Sequence, residues 1–373
     1  MKNMDKIREA ARDPHGYAES YKARTRKKVV GYFCSYAPEE IIWAAGALPL
    51  RIFSGKSGIH LADRHLQSYC CSLVRGVLED ALSGTLKFLD GVVFPHTCDS
   101  IQRLSDIWRL NVPYGFHADV VLPVKLNTDS ARAYMVDVLG TLRTDLEKKL
   151  DVRITDDALR ASMNLYSKLR SLLGQIYEIR SQNPDAVSGS DMYHIMKAAM
   201  IMDRQELLVL LEEAIPELKQ KKNAGAAVCR KRVILSGGIC DFPDIYGIIE
   251  EEGGAVVWDD LCMGTRTFAG DFAEKADPIE AIAGRYLERI VCPAKHSGLT
   301  DRADHLVKMV RERDARGVII LLLKFCDPHA FDYPCLKNAL DKEGIPNLLI
   351  EVEDQLPPGG QLRTRFDAFL EML

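Results

Sequence analysis

The chain has 373 residues, 47% of them hydrophobic, with 49 Lys and Arg against 53 Asp and Glu and a formal net charge of -4. That length is more than one core fills, so two domains plus connecting helices are expected, and the balanced charge argues for no nucleic acid and no membrane partner. No apolar run reaches the roughly 18–20 residues of a membrane helix and the polar N-terminus lacks a signal-peptide core, so a cytoplasmic location is expected, where ten cysteines are not structural disulfides.

From the N-terminus, a polar helix-like stretch leads to a region of short β-rich runs alternating with helical segments. The runs are Val29–Phe33, Leu48–Phe53, Gly91–Phe94 and Val120–Val124, the pattern of βαβ units on a parallel sheet. A helix begins at Pro38, with Glu39 and Glu40 complementing its positive end. Cys34 follows the first run, Cys70-Cys71 open a helical stretch, and Cys98-Asp99 follow the third run.

From Asp129 to about Lys222 the β signal stops. Met135, Val136, Leu139, Leu142, Leu146 and Leu150 recur at helical spacing, a second helix covers Ala158–Ile179, and a third runs from Met192 to Leu218 with an interruption at Pro216. Asn223-Ala224-Gly225-Ala226 marks a boundary.

Alternation resumes after Val228, with β runs at Val233–Leu235, Ala255–Trp258, Val318–Leu323 and Asn347–Val352. Cys240-Asp241, Cys262 and Cys326-Asp327 follow successive runs, so the order of strands and cysteines in the first half is repeated. The expected fold is α/β: two doubly wound Rossmann-like parallel-sheet domains with a helical connector, at 1–126, 127–225 and 226–373.

Weaker signals lie in the second half. Gly237-Gly238 after a strand suits a phosphate at a following helix, but no Walker Lys-Ser/Thr accompanies it. Gly264-Thr265-Arg266 is either a cation placed near a negative group or a turn with a solvated arginine. Pro357-Pro358-Gly359-Gly360 is a loop, and Phe366, Phe369 and Leu370 share one face of the helix after it.

For any single cysteine a small core residue is the default, and Cys229 and Cys292 are assigned to that class. Three recurring positions in each half need more. In open parallel sheets ligands sit at the carboxyl ends of strands. Two sets of soft sulfur donors there point to an iron-sulfur cluster between the domains. Zinc usually takes its ligands in close Cys-x2-Cys pairs, and none is present. A catalytic pair of Cys98 with His96, or Cys326 with His329, is a further option.

Several of these segments carry a resemblance. Val30-Gly31-Tyr32-Phe33-Cys34-Ser35-Tyr36-Ala37-Pro38-Glu39-Glu40, Tyr69-Cys70-Cys71-Ser72 with Arg75, His96-Thr97-Cys98-Asp99-Ser100, Lys324-Phe325-Cys326-Asp327-Pro328-His329 and Gln361-Leu362-Arg363-Thr364-Arg365 together resemble the 2-hydroxyacyl-CoA dehydratase and benzoyl-CoA reductase family. The resemblance implies a 4Fe-4S cluster between two α/β domains and an ATP-hydrolysing activator protein as electron donor. It also implies an acyl-CoA substrate that loses water through a ketyl radical or is reduced, and a homo- or heterodimer with a related subunit.

The ligands so implied are Cys70 or Cys71, Cys98 and Cys326. Glu39, His96 and His329 are candidates to move the proton. Cys34, Cys240 and Cys262 exceed what one cubane needs. The chain also resembles the related double-cubane cluster proteins, which reduce small molecules. The alternatives to both are a non-catalytic electron-transfer subunit and a metal-free protein with buried thiols.

Overall fold

The computed structural model describes residues 2–55, 58–221, 230–239, 241, 244–273, 277–289, 292–353 and 357–373. The boundary expected at Asn223-Ala224-Gly225-Ala226, together with Cys229 and Cys240, lies outside them. Two helices, α1 (Lys2–Arg12) and α2 (Pro14–Thr25), precede the first sheet. The sheet region runs β1 (Val29–Tyr32), α3 (Glu39–Ala44), β2 (Leu48–Arg51), α4 (Ser72–Ser83), β3 (Gly91–Pro95), α5 (Asp99–Asn111) and β4 (Phe116–Val120).

Four long helices follow: α6 (Asp129–Leu150), α7 (Asp156–Gln182), α8 (Gly189–Ala199) and α9 (Arg204–Gln220). The second sheet region runs β5 (Lys231–Gly237), α10 (Asp244–Glu251), β6 (Gly254–Asp260), α11 (Thr265–Phe268), α12 (Pro278–Glu288) and α13 (Asp301–Glu312). It closes with β7 (Gly317–Leu323), α14 (Asp327–Lys342), β8 (Asn347–Val352) and α15 (Gly359–Glu371).

Among the described residues both sheets have four strands, all parallel, in the orders β2-β1-β3-β4 and β6-β5-β7-β8. This is the expected fold class, two doubly wound parallel sheets with helices between them. The central strands β1, β3 and β7 are apolar and buried along their whole length because both of their faces are covered. Val92 and Phe94 face one core while Val93 faces another, and Val233 and Leu235 alternate in the same way with Ile234. The core holding Val92 and Phe94 also takes in Val233, Leu235, Ile319 and Leu321, so one face of each sheet contributes to a shared interior. Among the described residues no helix is long and apolar enough to cross a membrane.

Two local expectations are corrected. The fourth strand lies at Phe116–Val120, earlier than the Val120–Val124 run. Gly115, at φ 69, turns the chain so that Phe116 pairs with Gly91, and Val121 and Val124 are left exposed. The helix expected from Met192 to Leu218 is two helices, and Pro216 lies inside the second without ending it. The break falls where the Asp203 side chain accepts from the amides of Gln205 and Glu206, capping α9. The freed carbonyl of Met200 takes the amide of Arg51 on edge strand β2 at 2.9 Å, so the break serves the sheet.

Candidate metal centre

A doubly wound sheet leaves a crevice where its strand order reverses. Here the reversals fall between β1 and β3 and between β5 and β7. Cys34 follows β1, Cys98 follows β3, Cys262 follows β6 and Cys326 follows β7. Cys71 precedes α4, and Cys292 comes from the loop after α12. These six thiols line one cavity of about 90 Å³, whose remaining wall is largely apolar, with Phe33, Leu73, Val74, Ile101, Ile239 and Leu323. All six are free thiols. Among the described residues no three His, Cys, Asp or Glu side chains crowd closely enough to hold one ion. The sulfurs are spread around the wall instead.

Three of them share a local geometry. Cys71, Cys98 and Cys326 are the N-cap residues of α4, α5 and α14, so the positive ends of three helices meet the cavity. Phe325 makes this possible after β7: its left-handed φ of 64 turns the chain at once into Cys326 and α14. Burial pushes the Cys71 thiol up to about 11 and Cys98 up to about 12, and raises Cys326 as well. The amides of Leu73 and Val74, of Ser100 and Ile101, and of His329 oppose that rise at the three sites in turn. Such thiols keep their protons until a metal displaces them, and the helix ends then favour the thiolate.

Cys262 differs. Its hydrogen bond with Cys292 holds it well below the usual thiol range against the effect of burial, and the Arg266 guanidinium adds to the lowering. Arg266 Nη1 donates to Cys262 Sγ at 3.3 Å and to His329 Nε2 at 3.4 Å. Arginine cannot accept, so His329 Nε2 is the acceptor and its Nδ1 carries the proton, which points to Cys326 Sγ at 3.2 Å. Arg266 is anchored by Asp260, with Nε and Nη2 at 2.6 and 2.7 Å from its two carboxylate oxygens. The solvated-arginine reading of Gly264-Thr265-Arg266 is overturned, since Arg266 is 1% exposed. Gly264 is needed for space: a Cβ there would fall 2.0 Å from Asp259 Oδ1.

The expected site residues divide. Cys34, Cys71, Cys98, Cys262, Cys326 and His329 come together at the cavity, while Cys70 is buried beside it and does not line it. Glu39 lies in the packing of α3 on α7 and α9, accepting from Arg204 Nη2 at 2.5 Å and from the hydroxyls of Tyr32 and Tyr166. His96 Nε2 is 2.8 Å from Asp119 Oδ1, beyond the cavity wall. Cys240 lies outside the described residues. Cys292 and Arg51 were missed as cavity residues. No strand precedes Cys292, so the strand-end pattern passes over it; Arg51 closes β2, and its place at a carboxyl end was the available signal.

The 2-hydroxyglutaryl-CoA dehydratase D-component family profile matches residues 34–373, a span that starts at Cys34 and contains all six cavity thiols. The (R)-phenyllactyl-CoA dehydratase beta subunit of Clostridium sporogenes is 28% identical over a 380-residue alignment covering 100% of both chains. A benzoyl-CoA reductase subunit of Thauera aromatica is 33% identical over 326 residues, 86% of this chain and 84% of its own. The beta subunit of (R)-2-hydroxyglutaryl-CoA dehydratase from Acidaminococcus fermentans is 28% identical over 384 residues, 99% of this chain and 98% of its own. The six cavity thiols thus lie inside a match that covers most of the chain, and the chain belongs to the 2-hydroxyglutaryl-CoA dehydratase D-component family of dehydratase and reductase enzymes.

Proposed function

We propose that this chain is the iron-sulfur subunit of a 2-hydroxyacyl-CoA dehydratase-type enzyme, holding a 4Fe-4S cluster in its thiol-lined cavity. The observation that supports this is the convergence of six free thiols on one apolar cavity between the two sheets. A cubane takes its protein ligands on separate irons, which suits donors spread around a wall; a zinc ion would need four donors crowded on one centre. When bound, such a cluster supplies a low-potential electron and an iron able to polarise a thioester oxygen.

The chain's own residues have separate tasks. Cys71, Cys98 and Cys326 lose their protons on ligation, and the amides at the starts of α4, α5 and α14 favour the negative sulfur that results. His329 orients Cys326 through Nδ1 and is itself oriented by Arg266, so it is the histidine placed to hold a proton at the cavity wall. Leu73, Val74 and Ile101 exclude water and keep the dielectric low. Glu39 and His96 have their partners elsewhere, so the proton role moves to His329. The relatives are named subunits, which supports a dimer with a related subunit. An ATP-hydrolysing activator as electron donor and an acyl-CoA as substrate complete the reading.

A second reading draws on the number of thiols. Six donors exceed what a single cubane takes, which favours a double-cubane cluster and reduction of a small molecule. Iron and sulfide measured on anaerobically purified chain separate the two: about four irons per chain support the dehydratase-type site, about eight the double cubane. Turnover of an acyl-CoA with the activator, with and without a partner subunit, tests the activity. A colourless anaerobic preparation without iron overturns both readings.

A further inference from the structure

Among the described residues most buried arginines and lysines meet a carboxylate, as Arg170 and Arg285 meet Glu40 and as Arg266 and Arg302 meet Asp260. Three do not. Arg51, Arg289 and Lys295 are 2%, 4% and 5% exposed, and among the described residues none forms an ion pair. Arg51 Nη1 donates to the Cys262 carbonyl at 3.2 Å and reaches Met200 Sδ at 3.6 Å, and its Nε has no partner. Arg289 donates to the Arg266 carbonyl at 3.1 Å and to Ser35 Oγ at 3.3 Å, with its guanidinium 4.0 Å from the Tyr36 ring centre and its Nε also without partner. Lys295 Nζ has only the carbonyls of His96 and Leu122, each at 3.4 Å.

One lines the thiol cavity and the other two lie beside segments that line it. Arg51 lines the cavity itself, Arg289 is tied to the neighbour of Cys34, and Lys295 follows the lining residue Ala294. Burial draws the Lys295 ammonium down from its usual range, while Cys34, Cys292 and Cys98 act on it in the opposite sense. A buried cation without a counter-charge is unfavourable, so three of them around one cavity call for an anion inside it. A cluster held by several thiolates carries net negative charge, and each added electron increases it.

We propose that Arg51, Arg289 and Lys295 form a cationic collar that neutralises the thiolate-held cluster and sets its reduction potential, a role that rests on the cluster reading above. Positive charge beside the cluster favours its reduced form, so the collar raises the potential and strengthens cluster retention. These are positioning charges, acting through the cluster on whatever electron step the enzyme performs.

The test uses the full chain purified anaerobically as wild type, Arg51→Met, Arg51→Lys and Lys295→Met. Iron per chain and the midpoint potential are read for each by a redox titration followed by electron paramagnetic resonance. The expected result is a more negative midpoint in Arg51→Met and Lys295→Met, with Arg51→Lys returning close to wild type. Unfolding of the iron-free chains gives a second readout: removing an unpaired buried charge leaves Arg51→Met at least as stable as the iron-free wild type, whereas a loss of stability there makes Arg51 a structural residue and overturns its place in the collar. Loaded variants with an unmoved midpoint overturn the collar and leave the cluster reading standing. Wild type without iron overturns both. Should Arg51→Met keep no iron, Lys295→Met and the iron-free unfolding decide.

Discussion

The two sheets share one strand order and differ in what stands at equivalent strand ends. Cys98 after β3 and Cys326 after β7 are counterparts: each caps the helix that follows, and each thiol is raised by burial. The edge strands β2 and β6 are counterparts too, yet β2 ends on Arg51 where β6 leads to Cys262. The two meet across the cavity, with the arginine donating to the backbone of the cysteine. Repeated topology therefore supplies equivalent positions, and the side chain at each decides whether it serves as a donor to metal or as charge around it. The thiols differ accordingly: Cys98 and Cys326 rely on helix ends, while Cys262 relies on Cys292 and on Arg266.

The largest break in the comparison comes from removing one member of the matched pair. Cys98→Ser and Cys326→Ser are both expected to lose their iron, measured as iron and sulfide per chain after anaerobic purification. Cys262→Ser sharpens the contrast: a site of one cubane on Cys71, Cys98 and Cys326 keeps about four irons, whereas a double cubane drops from about eight towards four. Equal iron in Cys98→Ser and wild type would remove the thiol-lined cavity from the reading altogether.

Buried carboxylates distinguish the halves next. Glu40, on α3, is fully buried and held by Arg170 at one oxygen, with Arg285 at 3.4 Å and the Tyr286 hydroxyl at 2.9 Å. Glu40→Gln leaves two buried guanidiniums without a counter-charge, and about 3–5 kcal/mol of stability is expected to go, read from denaturant unfolding of the full chain. In the second half Asp259 has, among the described residues, no cation bonded to it; the Tyr177 hydroxyl and the amides of Leu261 and Thr265 satisfy it instead.

That difference reverses the pH dependence. Burial raises Asp259 to about 6 from an ordinary 3.8, against the pull of Tyr177 and of those amides. Between these values the folded chain binds a proton that the unfolded chain does not. Asp259 therefore makes the protein more stable as pH falls from about 6 towards 4, by roughly 3 kcal/mol in full. Glu40 has the other sign: burial is outweighed by Arg170 and Arg285, its folded value lies below the ordinary 4.5, and its stabilisation is lost as pH falls through that lowered value. Unfolding followed from pH 7 to pH 5 is expected to show the rise in wild type and not in Asp259→Asn. The same slope in both would assign the rise to another group.

Much of this was legible in the chain. Apolar runs such as Gly317–Leu323 mark buried parallel strands because covering both faces removes any alternation. Cysteines just past those runs mark the crevice because strand ends and helix starts meet there. What could not be read depends on pairings distant in sequence. Arg266 looks like a turn residue until Asp260, Cys262 and His329 close around it. Cys292 follows no strand, and its hydrogen bond with Cys262 links two loops. The break between α8 and α9 answers a strand about 150 residues earlier, which no local propensity reports. Glu39 shows the same dependence, since a helix-start acid beside a cysteine segment bonds to Arg204, a partner 165 residues away.

The smallest expected effect is the most discriminating between neighbours. Cys70 and Cys71 are both 8% exposed, adjacent and apolar in their surroundings, so burial and composition treat them alike. Only Cys71 occupies the N-cap of α4 and lines the cavity; the Cys70 amide instead closes a turn on the Gln67 carbonyl at 3.0 Å. Helix-cap geometry fixes which way a side chain leaves the backbone, and one residue's shift turns the thiol away from the crevice. Cys70→Ala is therefore expected to keep its iron and to lose only about 1 kcal/mol, the value of a small buried group. Cys71→Ala, with a similar loss of stability, is expected to lose iron. Iron content read beside unfolding separates the two effects, and iron lost from Cys70→Ala alone would move the ligand one residue back and detach the site from the three helix starts on which its electrostatics depend.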